Sequence, residues 1–117
     1  MAKKSVVVTV LFVGLVSIWM GGCQTPEQKV ERLIKKLGHK KAKVRANATE
    51  ALSNIGEDAV PALIQALQDQ DEWVRSRATL ALGRIGGGAV DAVPALIQLL
   101  QDQDEWVRSR ATLALGR

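Results

Sequence analysis

Apolar residues recur along residues 26–117 with the spacing of helices that each bury one face. Val60, Leu63, Ile64 and Leu67, for example, lie at relative positions 0, 3, 4 and 7. This spacing predicts amphipathic helices, and no segment shows the apolar–polar alternation with a period of two that strands need. We therefore predict six helices and no strands, with the helices over residues 26–37, 42–55, 59–68, 71–85, 91–101 and 104–116.

The predicted helix ends carry residues that favour starts and stops. Thr25-Pro26-Glu27-Gln28 has the form of a capping box, with proline at the first helical position. Asp71 suits the N-cap of the fourth helix. Gly83 or Gly86 can supply the left-handed residue at which that helix stops.

The chain contains an internal repeat. Residues 61–84 and 94–117 agree at 23 of 24 positions, with Ala66 against Leu99 as the exception. A weaker copy of the apolar pattern precedes them at an offset of 30. Helix pairs with one apolar stripe cannot bury it alone, so they stack, and we predict an all-α, short right-handed α-solenoid of antiparallel helix pairs. The predicted units cover roughly residues 26–55, 59–85 and 91–117, the last one incomplete.

The first 22 residues differ in kind from the rest. A basic start precedes the apolar run of residues 6–20, and Met20-Gly21-Gly22-Cys23 follows that run. These residues resemble the lipobox of bacterial lipoprotein signal peptides. The resemblance implies that residues 1–22 are removed, that Cys23 is lipidated and that residues 23–25 link the anchor to the repeat domain of residues 26–117. An uncleaved N-terminal anchor is the alternative.

Both alternatives predict a chain tethered to a membrane. Several acyl chains on one protein give stable anchoring, whereas a single chain is marginal. By the same resemblance, Gln24 after the cysteine favours the outer membrane, facing the periplasm, if the source is a Gram-negative bacterium. We therefore expect the bacterial cell envelope as the location.

The net charge of +4 hides a segregation of charge. Residues 23–45 hold eight Lys or Arg against two Glu, whereas residues 46–117 hold six Arg against ten acidic residues. The acidic majority would repel phosphate, so we expect no nucleic-acid partner. Lys40, Lys41 and Lys43 lie near the proposed anchor. They could meet anionic lipid headgroups, or they could form a solvated cap on the first unit.

The repeat resembles a known family. The run from Asp69 to Gly86 reads Asp-x-Asp-x-x-Val-Arg-x-x-Ala-x-x-Ala-Leu-Gly-x-Ile-Gly, and residues 92–100 continue it as Ala-Val-Pro-x-Leu-Ile-x-Leu-Leu. This pattern is similar to the short bacterial HEAT repeat, often called the phycobilisome-lyase type. In HEAT families, Asp and Arg side chains form a ladder that ties repeat to repeat, with ligand contact as the alternative role. The corresponding residues are Arg45, Asp69, Arg75, Asp102 and Arg108.

Two tryptophans occupy equivalent positions in the second and third units. A helical wheel places each on the side of its helix away from the core stripe, together with arginine and leucine. Indole beside guanidinium is a frequent pairing at protein interfaces, although each tryptophan could instead pack on the neighbouring repeat under an arginine. The candidate partner-binding residues are Trp73, Arg77, Leu80, Trp106, Arg110 and Leu113.

Residues that carry catalysis are scarce. The chain has one histidine, His39, and one cysteine, so the common metal sites and nucleophile–base pairs are not supported. We predict no enzyme activity, no metal and no cofactor. The predicted function is a membrane-tethered scaffold that binds an unknown protein partner. The alternative, implied by the family resemblance, is a lyase or chaperone acting in chromophore attachment to a partner protein.

The sequence stops within a unit, and we expect it to be a fragment of a longer array. The last predicted helix carries Val107, Ala111, Leu113 and Leu115 with no helix after it. Repeat arrays need a polar cap at each end. We therefore expect self-association through this uncapped helix, or fraying beyond about residue 103.

Overall fold

Helices make up the secondary structure of residues 25–117, which are the residues that the computed structural model describes. The predicted signal segment and Cys23 lie outside the described residues. The six α-helices are α1 Pro26–Lys36, α2 Ala42–Ile55, α3 Val60–Ala66, α4 Glu72–Ile85, α5 Val93–Gln98 and α6 Glu105–Leu115. Three 3₁₀ segments join them, at Gly56–Ala59, Gly86–Ala92 and Leu99–Gln101.

The N-terminal caps match the sequence signals. The Thr25 hydroxyl accepts a hydrogen bond from the Gln28 backbone N–H at 3.2 Å, and the Gln28 side-chain oxygen accepts one from the Thr25 N–H at 3.2 Å. This is the reciprocal pair of a capping box. Asp71 caps α4 by accepting from the Trp73 N–H at 2.8 Å. Helices α1 and α4 therefore begin where their caps predict.

Glycines end α2 and α4. Gly56 and Gly86 have φ values of 77° and 69°, a region that side-chain-bearing residues rarely adopt. Gly83, the other candidate stop, lies inside α4. A Cβ there would be 3.2 Å from the Ala114 Cβ, so the missing side chain allows α6 to approach α4 closely.

One helical stretch, Glu72–Gln101, is long and apolar enough by composition to cross a membrane. The chain turns at Gly86 inside this stretch, and both of its α-helices contribute buried residues to the core. A segment that turns in this way and buries residues of both helices in the core belongs to the solenoid, so we assign it there.

The helices stack as three pairs. Helix α1 packs on α2, α3 on α4, and α5 on α6. The second helices of the pairs also pack side by side, α2 against α4 and α4 against α6, while α1 contacts α3. This gives two layers, with the apolar stripes between them, which is the predicted all-α solenoid. Residues 25–117 contain no strand.

A continuous core runs through the three pairs. Its largest fully buried apolar side chains are Leu37, Leu52, Leu63, Leu67, Leu82 and Val107. The threonines of α2 and α4, Thr49 and Thr79, are buried too, and they satisfy their hydroxyls locally. Thr49 donates to the Arg45 carbonyl and Thr79 to the Arg75 carbonyl, each at 2.7 Å. Polar atoms in the core therefore do not interrupt the stacking.

The last helix is better covered than the sequence predicted. Val107 and Ala111 are 0% exposed and Leu115 is half-buried. The prediction that these residues lack cover was wrong for Val107 and Ala111. Helices α4 and α5, which precede α6 in the sequence, pack on that face of α6 and bury it. Leu113 is 66% exposed, as a residue off the core stripe should be.

Exposed apolar residues of the third unit lie on α5 and in the 3₁₀ segment that follows it, besides those on α6. Ile97 is 53% exposed and Leu100 is 40% exposed. Leu67, which is equivalent to Leu100 in the second unit, is 1% exposed. The same sequence position is therefore buried in the second unit and open in the third.

Candidate functional site

The second helices of the last two pairs, α4 and α6, present one continuous outer face. Trp73 and Trp106 lie in their first turns and are 45% and 69% exposed. Arginines and leucines follow them at helical spacing, as the sequence predicted. We call this face the Trp–Arg surface, and it consists of Trp73, Arg77, Leu80, Arg84, Trp106, Arg110, Leu113 and Arg117.

A groove runs between α4 and α6 on this surface. A depression of about 140 Å³ lies at the tryptophan end, and a smaller one of about 50 Å³ lies further along the helices. Arg110 lines both depressions, so they adjoin at its side chain, and we call the two together the groove. Gly83 and Ala114 lie in its second part, where the two helices approach most closely.

The arginines of the Trp–Arg surface form no ion pair among residues 25–117. Arg110 and Arg117 line the depressions, and Arg77 and Arg84 belong to the surface around them. The Arg75–Asp102 ion pair lies off this surface. Burial, followed by the charges of Arg110, Arg45 and Arg84, lowers the pKa of Arg77. Burial, followed by the charge of Arg84, lowers the pKa of Arg110. Arginine stays protonated in proteins, so this surface holds like charges close together.

Arg110 also has an unsatisfied donor. Its Nε is buried and has no hydrogen-bond partner among the described residues. A buried donor without a partner is costly. The Arg110 side chain lines both depressions.

An arginine that the sequence did not predict lies over the Trp73 ring. The guanidinium carbon of Arg45, on α2, lies 4.1 Å from the centroid of the Trp73 ring, a cation–π contact. The alternative reading, in which a tryptophan packs on the neighbouring unit under an arginine, thus describes Trp73. The described residues hold no such arginine over Trp106, which is the more exposed ring.

The structure forms one rung of the predicted Arg–Asp ladder. Arg75 Nε donates to Asp102 Oδ2 at 2.8 Å and Nη2 donates to Oδ1 at 3.1 Å, a bidentate pair with both side chains 9% exposed. The Nη1 of Arg75 donates to the backbone carbonyls of Asp69 and Gln70. One arginine therefore fixes its own turn and ties the second unit to the third.

This rung lowers the pKa of Asp102. Burial of the carboxyl acts in the opposite direction and raises it. Hydrogen bonds from the Arg75 side chain and the Asp104 backbone, with the charges of Arg75 and Arg108, outweigh burial. The ionised form of Asp102 is therefore favoured in the folded protein.

The structure shows no ion pair between Arg45 and Asp69, two of the other candidate ladder residues. The Nη1 of Arg45 donates to the carbonyls of His39 and Lys40, as Arg75 does in its own turn. Its guanidinium lies over Trp73, however, and its Nε is buried without a hydrogen-bond partner. The Asp69 carboxylate accepts from the Asp71 backbone N–H at 2.9 Å.

Arg108 forms only the local part of the motif. Its Nη1 donates to the Asp102 carbonyl at 2.6 Å, and it contacts no carboxylate within the described part of the chain. The three equivalent arginines thus hold their own turns in the same way. They differ in the contacts that they make with the neighbouring unit.

Three basic residues of the first unit lie at the start of α2. Lys40 and Lys41 are on the turn before the helix and Lys43 is in its first turn, and all three are exposed. His39 stabilises the turn, since its Nδ1 accepts a hydrogen bond from the Lys41 backbone N–H at 3.1 Å. No group of three or more His, Cys, Asp or Glu among residues 25–117 could hold a metal ion.

Three helix pairs in two layers, tied by a buried arginine–aspartate pair, define an α-solenoid repeat protein. The chain belongs to the family of HEAT repeats, which matches residues 30–116. Among solved structures, it is similar to the crystal structure of an engineered protein, a structural genomics target. That similarity has a TM-score of 0.51 and 28% sequence identity, and it covers 74% of this chain and 44% of that one. The chain thus spans less than half the length of that structure. No curated relative matches it.

Proposed function

We propose that this protein is a non-enzymatic scaffold, held at a bacterial envelope membrane by a lipid on Cys23, that binds another protein through the Trp–Arg surface. The observation that carries the proposal is the exposure of Trp106 and Leu113, 69% and 66%, beside an arginine with an unsatisfied donor. Tryptophan and arginine dominate the residues that contribute most to binding at protein interfaces.

The exposed indole of Trp106 presents enough surface to contribute substantially to partner binding. Covering most of a tryptophan side chain removes on the order of 150 Å² of mostly apolar surface. At roughly 25 cal/mol per Å², this contributes about 4 kcal/mol before the entropy cost of association. Leu113 lies about two turns further along the same helix and extends the apolar area. The surface therefore suits a protein partner of moderate affinity.

The proposed membrane tether is supported by the sequence of the first 23 residues and by the positive charge at the end of the solenoid that follows them. Lys40, Lys41 and Lys43 are exposed at the end of the solenoid that follows the proposed anchor. Each lysine near an anionic bilayer contributes about 1 kcal/mol to membrane attachment. We infer that this end faces the membrane, while the Trp–Arg surface of α4 and α6 extends away from it.

The chromophore lyase or chaperone alternative has less support. The depressions lined by described residues enclose about 50, 140 and 280 Å³. Sites that enclose small organic ligands usually measure about 300–1,000 Å³. A tetrapyrrole would lie largely outside such depressions, whereas a protein segment needs only a shallow groove. An absorbance shift on mixing the protein with bilin would favour the alternative.

Co-purification with a matched control tests partner binding. The tagged full chain is extracted from membranes of its source organism in mild detergent, and co-purifying proteins are quantified by mass spectrometry. Leu113→Ser should remove the partner. Val90→Ser is the control, since Val90 is also 66% exposed but lies off the Trp–Arg surface. If Leu113→Ser and Val90→Ser reduced the amount of the co-purifying partner equally, the proposal would be contradicted.

The tether is tested separately on the intact protein. Mass spectrometry of the membrane fraction should find a chain that begins at Cys23 and carries acyl groups on it. A chain that still begins at Met1 with an unmodified Cys23 would overturn the lipid anchor and leave the uncleaved anchor.

A further inference from the structure

The arginines of α2, α4 and α6, with Arg117 just after α6, fall into two groups with different surroundings. Arg45, Arg75 and Arg108 donate to backbone carbonyls of the turns that precede their helices, so they serve the fold. The others lie on the Trp–Arg surface, and residues 25–117 give them no ion pair. This second group consists of Arg77, Arg84, Arg110 and Arg117.

The second group has no evident role in folding. Arg77 and Arg110 are close enough to repel each other, and Arg84 acts on both. Like charges on adjacent helices oppose the packing of those helices. An interface gains from such a cluster when the partner supplies the opposite charge, which gives specificity and faster association.

We propose that the Trp–Arg surface binds an acidic polypeptide segment of the partner, with carboxylates at Arg77, Arg84, Arg110 and Arg117 and an apolar side chain against Trp106. This inference rests on the proposed function and specifies the chemistry of the partner. The residues of α4 from Trp73 to Arg84 span roughly 16 Å at 1.5 Å per residue. An extended segment of about five residues covers that length.

The charges around the groove favour a polypeptide over a nucleic acid. Glu72 and Asp104 line its tryptophan end, and Glu105 is exposed in the first turn of α6. A phosphate chain that continued along the groove would meet these carboxylates. A polypeptide can place apolar residues at the tryptophan end and acidic residues at the arginine end, so it matches both parts.

The probe is a fluorescein-labelled peptide of about twelve residues with leucines followed by glutamates, and its twin has glutamine in place of every glutamate. Fluorescence anisotropy measures binding to the full chain in neutral detergent. The glutamate peptide should bind at least about tenfold more tightly than its twin at low salt. The difference should shrink at about 500 mM salt, because screening weakens exposed charge pairs.

Paired variants locate the binding. Arg77→Gln/Arg110→Gln should weaken binding of the glutamate peptide by about tenfold or more. Lys29→Gln/Lys36→Gln removes the same charge from exposed positions on α1 and should have little effect. Circular dichroism checks that each variant is helical. If the lysine pair weakens binding as much as the arginine pair, the inference is wrong.

The remaining outcomes separate this inference from the proposed function. If both peptides bind equally and Trp106→Ala abolishes both, the surface binds protein but does not select acidic segments. If single-stranded DNA or anionic vesicles bind through Arg77 and Arg110 more tightly than the glutamate peptide, the partner class is wrong. If neither peptide binds and Leu113→Ser retains every co-purifying protein, the proposed function fails as well.

Discussion

Replacing Asp102 with asparagine should weaken the attachment of the third helix pair to the second. The substitution keeps the shape of the side chain and the acceptor for the Asp104 N–H, but it removes the charge that Arg75 contacts at 2.8 and 3.1 Å. Both partners are 9% exposed, so Arg75 is left nearly buried with weaker acceptors. Breaking a buried pair costs about 3–5 kcal/mol and an exposed one under about 1, so we expect about 2–3 kcal/mol here.

Chemical denaturation of the full chain in detergent measures this loss, and hydrogen exchange locates it. Exchange should increase most in α5 and α6, the helices that this pair attaches to α4. Asp69→Asn is the matched control, because Asp69 occupies the same position one unit earlier and its carboxylate forms no ion pair with an arginine. We expect it to cost less than about 1 kcal/mol. Equal losses for Asp69→Asn and Asp102→Asn would refute the reasoning.

The pH dependence provides an independent check on the same pair. The folded-state pKa of Asp102 is lowered, so its contribution is fully present above the unfolded-state pKa of about 3.9. It is lost as the pH falls below that value through the folded-state pKa. The stability difference between the native chain and Asp102→Asn should therefore be constant from about pH 5 to 8 and shrink below about pH 4. A difference that grows on acidification would contradict the assignment.

Three further substitutions test the packing by denaturant unfolding. Trp73→Leu should cost about 1 kcal/mol by removing the ring under Arg45, and no loss would show that this contact is weak. Gly83→Val should cost about 1–3 kcal/mol because a Cβ there lies 3.2 Å from α6, whereas Gly87→Val meets nothing within 4 Å. Leu67→Ala should cost about 2–5 kcal/mol and Leu100→Ala, at the exposed equivalent position, should cost far less, so equal costs would refute the packing.

The sequence predicts the helices and their stacking because two local signals agree. Apolar spacing defines the helix faces, and caps such as Thr25 and Asp71 define the starts. The repeat then places equivalent faces against one another. The positions of Trp106 and Leu113 off the core stripe follow from the same spacing, and both are exposed.

The contacts between units could not be predicted in this way. Arg45, Arg75 and Arg108 are equivalent in sequence, yet one lies over an indole, one binds a carboxylate and one contacts only backbone. Their partners depend on how neighbouring units pack, and the first unit differs from the others in length and turn sequence. Sequence equivalence fixes the position of a side chain on its helix, whereas its partner depends on the next unit.

The error about Val107 and Ala111 has a related cause. Their stripe was assigned to a following helix pair, whereas it packs on α4 and α5. A periodic stripe indicates that a face is buried but does not identify the helix that buries it.

Site-specific photo-crosslinking in the source organism tests the scaffold function most directly. A photoreactive amino acid replaces Leu113 in one variant and Val90 in another, two positions with the same exposure of 66% on different surfaces. We predict that the Leu113 position crosslinks to a defined partner protein, that the crosslink disappears in Trp106→Ala, and that the Val90 position gives none. A crosslink of the same mass and yield from both positions, or none from Leu113, would contradict the assignment of partner binding to the Trp–Arg surface.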